Sequence, residues 1–410
     1  MEKRARSISS ALRAAVDRRR LLDTAVRLIA APSPTGDAGG ALDVLAAIAA
    51  EDGFDVARHD GGHPAAPAVA FDIATGRPGP RLQLDGHLDT VHLPFAPPAL
   101  AGDLLTGSGA ADMKGGLAAA VEAMRVLRDT GALAAGSVLL TAHDLHEAPW
   151  GWGEQLEALI RDGLHGDAVL IPEPLSDRLP VVGRGALIWK AAIRRRGPAV
   201  HEVMRPADEP DVIAAGAELV ARLSRRDREL SERRDPLAGS ESVFIGQIHS
   251  GEIYNGYPQE CRLEGTRRWL PDTPSAEVER ELRSILSDLA GATGTTIDAE
   301  LRIIRGAFSL DAEGPLVSSF QRACEDATGR PLPTGAKPFV DDGNAFWSLA
   351  GVPAITHGPK AGGQHTVEEW VSIADLERVA HVYALTAALY CSGEDGGPAA
   401  SPARDGGGAS

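Results

Sequence analysis

Short apolar runs that alternate with amphipathic segments are the feature of this sequence that most constrains its fold. An amphipathic segment at residues 20–30 ends in a Pro- and Gly-rich breaker at 31–36, and another covers residues 115–128. Residues 81–84 read as a short buried strand, and further segments of strand length occupy residues 137–142, 167–171 and 352–356. Apolar strands that alternate with helices are typical of parallel sheets covered by helices. The sequence therefore predicts an α/β domain, an open and mainly parallel sheet flanked by helices.

The middle of the chain has a different order of elements. The pattern predicts strands at 187–193, 242–249, 260–269 and 296–304, with helices at 210–223 and from about 274, where Thr273 is the expected N-cap. This β-α-β-β-α-β order is typical of a ferredoxin-like α+β domain. We therefore predict an inserted domain at 184–304, which splits the α/β domain into 1–183 and 305–391. Residues 392–410 are rich in Gly, Ala, Ser, Pro and Asp and are expected to be a disordered tail.

Composition excludes some classes of partner. The chain has 41 Lys and Arg against 57 Asp and Glu, a net charge of −16. Nucleic acids and anionic membranes both attract basic patches, so neither is an expected partner. No apolar run is long enough for a transmembrane helix, and three cysteines are too few for a disulfide scaffold. A cytoplasmic protein is the default expectation.

Ionisable side chains follow the ends of the predicted strands. They are His87 and Asp89 after the first run, Asp112 in the Gly-rich segment 107–116, Asp144, His146 and Glu147 after the second run, Glu173 after the third, and His365 beyond the last. In open α/β sheets, ligands bind just past the carboxyl ends of the strands. Each of these side chains alone is ordinary, but together they supply the imidazoles and carboxylates that bind zinc or a similar ion. Two neighbouring ions would also need a bridging carboxylate, and such pairs run hydrolytic chemistry.

Two of these segments carry a specific resemblance. Residues 86–90 (Gly-His-Leu-Asp-Thr) and 112–115 (Asp-Met-Lys-Gly) resemble segments of the acetylornithine deacetylase, succinyl-diaminopimelate desuccinylase and glutamate carboxypeptidase superfamily. The resemblance extends from residues 32–36 to His365. It implies a zinc-exopeptidase-like fold with an inserted dimerisation domain, two divalent ions (zinc first, cobalt or manganese as alternatives) and a homodimer. It also implies hydrolysis of an amide bond in an N-acyl amino acid or small peptide with a free carboxylate.

The resemblance also implies a role for each candidate ligand. His87 and Glu173 would hold one ion, and Glu147 and His365 the other. Asp112 would bridge the two ions. Asp89 would orient the imidazole of His87.

Further residues are implied to bind the substrate. His201 matches a family histidine that reaches the partner subunit's site and contacts the scissile carbonyl, although a surface position is the ordinary alternative. Asn255 matches an Asn near the substrate, although Tyr-Asn-Gly-Tyr at 254–257 is also good hairpin chemistry. Arg268 resembles an Arg that binds a carboxylate, a task suited to a bidentate guanidinium, although either it or its neighbour Arg267 could face solvent. Asp342 and Gly358 are the remaining substrate-binding candidates, the former because residues 342–344 resemble a family loop near the site.

One position departs from the family pattern. Where the family has two adjacent Glu residues, a general base followed by a ligand, this chain has His146 and Glu147. His146 could act as base or as an extra metal ligand, and Asp144 is a second candidate base. Unperturbed His has a suitable pKa, but two adjacent dications favour neutral imidazole over imidazolium. Three functions therefore remain open: a working hydrolase, a metal-retaining relative that catalyses a non-hydrolytic or biosynthetic step, and a non-catalytic binding protein.

Overall fold

The structure is a computed structural model that describes residues 2–393. The predicted tail at 392–410 lies outside the described residues, except for its first two. The chain divides into two compact units: the first comprises Met1–Val181, Leu310–Gly335 and Ala345–Ser410, and the second Val182–Ser309 and Ala336–Asn344. The insertion predicted at 184–304 lies within the second unit, and we retain that division as our proposed domain organisation.

In chain order the strands are β1 (Ala57–His59), β2 (Ala68–Ala74), β3 (Arg81–His87), β4 (Ala99–Ala101), β5 (Leu104–Thr106), β6 (Ser137–His143), β7 (Ala168–Ile171), β8 (Leu179–Gly183), β9 (Gly185–Arg194), β10 (Val200–His201), β11 (Arg234–Asp235), β12 (Gly239–Ser240), β13 (Ser242–Ser250), β14 (Gly256–Tyr257), β15 (Glu260–Trp269), β16 (Thr296–Arg305), β17 (Phe308–Ser309), β18 (Thr334–Lys337), β19 (Ala354–Thr356), β20 (Ala361–Gly362) and β21 (Trp370–Ser372).

The α-helices are α1 (Glu2–Ala15), α2 (Arg18–Ala30), α3 (Gly39–Glu51), α4 (Gly115–Thr130), α5 (Glu154–Arg161), α6 (Val212–Leu230), α7 (Ser275–Thr293), α8 (Pro315–Thr328), α9 (Asp342–Ala350) and α10 (Ile373–Ser392). An irregular turn at Ala110–Lys114, in which Asp112 and Met113 have non-helical backbone dihedrals, leads into α4, and a 3₁₀ turn covers Glu202–Met204.

The first unit is built on a six-stranded sheet with the order β1-β2-β6-β3-β7-β19. Strands β6, β3, β7 and β19 run parallel to one another, whereas β2 pairs antiparallel with both β6 and the edge strand β1. The strands of this parallel part are buried along nearly their whole length, as expected for a sheet covered on both faces. The prediction of an open, mainly parallel α/β sheet is therefore confirmed.

The second unit contains an antiparallel sheet with the order β13-β15-β9-β16. Along the chain its elements run β9-α6-β13-β15-α7-β16, which is the ferredoxin-like arrangement predicted from the sequence. Apolar residues of the sheet and both helices, among them Leu187, Leu219, Leu263 and Leu282, share one buried core. Asp211 begins α6 by accepting the N–H groups of residues 213 and 214.

The beginning of α7 differs from the prediction. Pro274 is the N-cap and the helix begins at Ser275. The hydroxyl of Thr273, the predicted N-cap, instead donates to the carboxylate of Glu241 at 2.6 Å. The Thr273 hydroxyl is therefore bonded to a buried carboxylate from another part of the chain, and it does not cap the helix as the local pattern predicted.

The expectations about membrane spans and about cysteines can be compared with the structure. Within residues 2–393, no helix is both long and apolar enough to cross a membrane. The three cysteines, Cys261, Cys324 and Cys391, are free and buried.

Candidate metal centre

The candidate ligands gather where the parallel strands of the first unit end. His87 is the last residue of β3 and pairs in register with His143, the last residue of β6. Glu173 follows two residues after the end of β7. The carboxyl ends of parallel strands meet at one edge of the sheet, so residues far apart in sequence are brought together there.

Asp112 lies between two histidines and presents a different oxygen to each. Its Oδ1 is 3.2 Å from His87 Nε2, and its Oδ2 is 3.3 Å from His365 Nε2. His365 Nε2 is also 3.2 Å from Glu147 Oε2, and His87 Nε2 is 3.6 Å from Glu173 Oε1. The arrangement has two halves that share one carboxylate, as two neighbouring metal ions require.

The electrostatics of this cluster fit divalent cations. Burial and the neighbouring Asp112 carboxylate raise the pKa of Glu173 to about 8, because two close buried carboxylates resist ionising together. The carboxylates around His87 raise the pKa of its imidazole well above the ordinary value, although burial opposes this. His365 has its pKa raised to about 10, chiefly by hydrogen bonds to Asp112 and Glu147. The cluster thus favours positive charge, and its oxygen and imidazole ligands suit zinc, cobalt or manganese.

Asp89 connects two of the strand ends. Its Oδ2 accepts the backbone N–H groups of His146 and Glu147, both at 3.0 Å. Its Oδ1 lies 3.5 Å from His87 Nδ1, which makes a closer contact of 3.0 Å with the Asp89 backbone carbonyl. Burial works against the charged form, but His87, His146 and the Glu147 N–H lower the pKa of Asp89 to about 2. The residue therefore holds the segment that carries Glu147 as well as the imidazole that it was predicted to orient.

His146 faces the cluster. Its ring stacks on that of His87, with 3.9 Å between ring centroids and 4° between planes. Its Nε2 is 3.8 Å from Glu173 Oε1. One potential metal-binding atom from each of His87, His146 and Glu173 lies within 4.8 Å of the other two. This position is compatible with both roles that the sequence left open, base and metal ligand.

Asp144 has a different environment. Its carboxylate accepts backbone N–H groups of Gly36 and Ala38 at 2.9 and 3.0 Å, and His63 Nε2 lies 3.2 Å away. Its side chain is fully buried among these partners. The structure therefore does not support the sequence-based alternative in which Asp144 is the base, since its oxygens already fix the loop before α3.

His201 and Asn255 lie together in the second unit. Strand β10 pairs with β14, and Asn255 Nδ2 lies 2.9 Å from His201 Nε2. His201 is exposed and Asn255 is partly buried. Arg268 is eight residues beyond Glu260 along β15, about 26 Å away for an extended strand. The His201–Asn255 pair precedes the start of β15 in the chain, and Arg268 lies near the end of that strand.

Arg267 and Arg268 have opposite environments, which settles a question that the sequence left open. Arg267 is fully buried, and its Nη2 donates to Glu241 Oε2 at 2.6 Å. Arg268 is partly buried, and among the described residues no carboxylate forms an ion pair with it. Burial and the positive charge of Arg184 both lower the pKa of its guanidinium. Two neighbouring cations without a paired anion are suited to an anionic ligand.

Asp342 and Gly358 have structural partners in the units to which they belong. Asp342 begins α9, is buried, and accepts a hydrogen bond from Arg305 at 3.2 Å. A Cβ atom at Gly358 would stand 2.3 Å from the backbone carbonyl oxygen of Glu173. Glycine is needed there so that this segment can pack against the one that carries Glu173.

Sequence reasoning missed two buried ionisable residues beside the centre. Glu369 accepts the backbone N–H groups of Ala111 and Asp112 at 3.0 and 3.2 Å, and burial raises its pKa to about 7. Lys114 is buried and donates to the Ala31 carbonyl at 2.8 Å, and burial lowers its pKa to about 7. The only sequence signal for Glu369 is its position four residues after His365.

An open α/β sheet with a cluster of imidazoles and carboxylates at its carboxyl edge is the arrangement expected of a metal-dependent hydrolase. The model of peptidase family M20/M25/M40 matches residues 83–389. The chain therefore belongs to that family. It is a hydrolase of amide or peptide bonds that uses divalent metal ions.

Relatives of known sequence and structure agree with this assignment. A succinyl-diaminopimelate desuccinylase of Alkalilimnicola ehrlichii is 30% identical over 380 residues, covering 88% of this chain and 96% of the relative. Among solved structures, the aminopeptidase PepT of Bacillus cereus has a TM-score of 0.77 at 19% identity, over 92% of this chain and 99% of that one. A dinuclear metal binding peptidase of the M20 family from Bacillus subtilis has a TM-score of 0.67 at 15% identity, over 92% and 98%. At these identities the two structural matches show the shared fold.

Proposed function

We propose that this chain hydrolyses the amide bond of an N-acyl amino acid or small peptide with a free carboxylate, using two zinc ions, with cobalt or manganese as alternatives. The observation that carries the proposal is the position of Asp112, whose two oxygens face His87 and His365 separately. The curated relatives include desuccinylases, and the structural neighbours include an aminopeptidase and a tripeptidase. We therefore place the substrate in the same broad class, a small amide.

The chain's own residues have distinct tasks in this mechanism. His87 and Glu173 would hold one ion, Glu147 and His365 the other, and Asp112 both. When bound, the ions would polarise the substrate carbonyl and lower the pKa of water. Asp89 and Glu369 hold the backbone of the ligand segments, so the geometry is set before substrate binds.

We assign the role of proton acceptor to His146. It occupies the position of the family's general base, and its ring lies against the cluster. Its Nε2 lies 3.8 Å from Glu173 Oε1, so a ring nitrogen faces the place where the attacking water would lie. It would take the proton from the attacking water and pass it to the leaving amine.

We assign the substrate carboxylate to Arg268. Its guanidinium is partly buried beside Arg184, and no carboxylate among the described residues neutralises it. A substrate carboxylate would supply the missing anion through paired N–H···O bonds. We expect Arg268→Ala to raise KM more than it lowers kcat, whereas Arg262→Ala, on the exposed part of the same strand, should change neither.

We further propose a homodimer in which His201 and Asn255 serve the partner's active site. The exposed position of His201 in the ferredoxin-like unit and its match to the family's trans-acting histidine support this. Mixing His201→Ala chains with Asp112→Ala chains tests the idea, since each variant alone should be inactive. Random re-pairing should restore about a quarter of wild-type activity if His201 acts on the partner's substrate. No recovery, or a fully active monomer in sedimentation, contradicts it.

The experiment for the function itself is a mass-spectrometric screen of N-acyl amino acids and dipeptides, with the purified chain loaded with zinc. Elemental analysis should find about two ions per chain.

His146→Ala should lower kcat by about 10²–10⁴-fold with metal content retained, while substitution of the exposed His249 by Ala should have no effect. If the His146→Ala variant also loses metal, His146 is a metal ligand and not the base. Absence of hydrolysis in the wild type, together with its appearance in His146→Glu, would refute the hydrolytic proposal.

A further inference from the structure

A second ring stack lies beside the metal centre. His92 and Trp150 stack with 4.3 Å between centroids and 13° between planes. His92 is three residues after Asp89, and Trp150 is three residues after Glu147. The stack therefore joins the two loops that leave β3 and β6 at the edge where the metal centre lies.

Backbone hydrogen bonds fix Trp150 close to Glu147. The N–H groups of Trp150 and Gly151 both donate to the Glu147 carbonyl, at 3.1 and 2.8 Å. An i→i+3 turn of this kind keeps its end Cα atoms within about 7 Å of each other. A Cβ atom at Gly151 would stand 2.2 Å from the Leu145 carbonyl oxygen, so the turn is closely packed. Trp150 thus has a defined position one turn away from a candidate metal ligand.

The loop on the other side of the stack is also held in place. His92 Nε2 lies 2.9 Å from the Thr35 carbonyl oxygen, and Ala96 exchanges two 2.9 Å hydrogen bonds with Ser108. Between these anchors, Leu93 and Phe95 are 44% and 43% exposed. Trp150 itself is 42% exposed. Clusters of exposed apolar side chains mark binding surfaces, and the His92–Trp150 stack brings together the two loops that carry these side chains.

We propose that His92, Trp150, Leu93 and Phe95 form an apolar subsite for a large, planar acyl group of the substrate. We call these four residues the aromatic wall. The inference rests on the proposed amide hydrolysis and adds a substrate class to it. The aromatic wall contains no Lys or Arg, so it offers nothing to a second carboxylate such as that of a succinyl group. An aromatic ring can stack on the open part of Trp150 and displace water from it.

The test compares N-phenylacetyl and N-acetyl derivatives of one amino acid with the zinc-loaded chain. We expect the wild type to favour the phenylacetyl substrate by at least about 10-fold in kcat/KM, the range expected for an apolar pocket. Trp150→Ala should remove most of that preference, and Trp150→Phe should retain it. Leu100→Ala is the matched control, because Leu100 is 61% exposed on β4 in the same unit and should leave the ratio unchanged.

Several outcomes are decisive. A wild type without preference for phenylacetyl, or a Trp150→Ala variant that keeps it, overturns the aromatic wall while leaving amide hydrolysis intact. If the wild type cleaves neither substrate, the subsite is tested by calorimetric binding of the phenylacetyl compound, while the broad screen described above decides the proposed function. Binding that weakens about 10-fold or more in Trp150→Ala supports the wall, and equal binding refutes it. Metal content and thermal unfolding of each variant show whether a lost preference reflects lost fold.

Discussion

Replacing Glu241 by Ala should destabilise the second unit far more than the loss of a surface ion pair. Glu241 is buried, and one of its oxygens accepts from Arg267 Nη2 at 2.6 Å. The other accepts from the Thr273 hydroxyl at 2.6 Å, with the Leu270 N–H 3.5 Å away. Arg267 is also fully buried, so the substitution leaves a guanidinium without its main counter-charge away from water.

The magnitude follows from that geometry. Removing one partner of a buried ion pair costs about 3–5 kcal/mol, because the remaining charge stays desolvated. Arg267 keeps a weaker contact, since its Nε is 3.6 Å from Glu281, and this favours the lower end of the range. The exposed pair of Glu279 and Arg283 on α7 is the matched control, and its loss should cost about 0.3–0.5 kcal/mol.

Urea unfolding followed by tryptophan fluorescence measures the difference, because Trp189 and Trp269 lie in the core of this unit. Combining Glu241→Leu with Arg267→Met should recover most of the lost stability, since the unpaired charge is then gone.

The same carboxylate should make stability depend on pH. Burial works to raise the pKa of Glu241, but hydrogen bonds from Thr273 and Arg267 keep it below its ordinary value. Its stabilisation should therefore be complete above the pKa of an unfolded Glu and lost as pH falls below it. A cost below about 1 kcal/mol for Glu241→Ala would refute the reasoning.

Three further predictions concern the first unit. Asp112→Ala should lose both ions in elemental analysis, because it removes the shared ligand; retention of two ions would exclude a bridging role. Glu369→Ala should weaken metal binding about 10–100-fold in a chelator competition, because two N–H groups beside Asp112 lose their acceptor, while its exposed neighbour Glu368→Ala should not. Burial and the charge of Arg378 lower the pKa of His357 to about 3, so stability should decline as pH falls below about 6.5, by up to about 1.4 kcal/mol per pH unit. The variant His357→Gln should flatten that decline in pH-dependent urea melts; an unchanged slope would show that other groups cause it.

Most of the candidate ligands were predictable because they follow predicted strands, and parallel strands end at one edge of the sheet. Asp112 lies instead in the turn before α4, and only the family resemblance assigned it the bridging role. The order β-α-β-β-α-β likewise predicted the ferredoxin-like unit, since alternation and length suffice to identify its elements. These inferences depend on short stretches of sequence and on general rules of chain connection.

The partners of individual polar groups were not predictable in the same way. Asp144 was a candidate base because it lies near Glu147 in sequence, yet its carboxylate is bonded to Gly36 and Ala38, more than 100 residues away. Alternation along β15 places Arg267 on the face that carries Leu263 and Trp269, but its buried partner Glu241 is 26 residues away and follows no local pattern. Hydrogen bonds between distant residues depend on packing that no local pattern contains.

The two halves of the metal centre also become available at different times during synthesis. His87, Asp112, Glu147 and Glu173 precede the second unit, whereas β19 and His365 follow it. Residues 173 and 365 are 192 positions apart, so a ribosome needs about 10–40 s between them. During that interval the nascent chain carries three clustered carboxylates without the last histidine and without the edge strand that pairs with β7. The metal centre can therefore be completed only after the ribosome has synthesised the second unit and the strand that follows it.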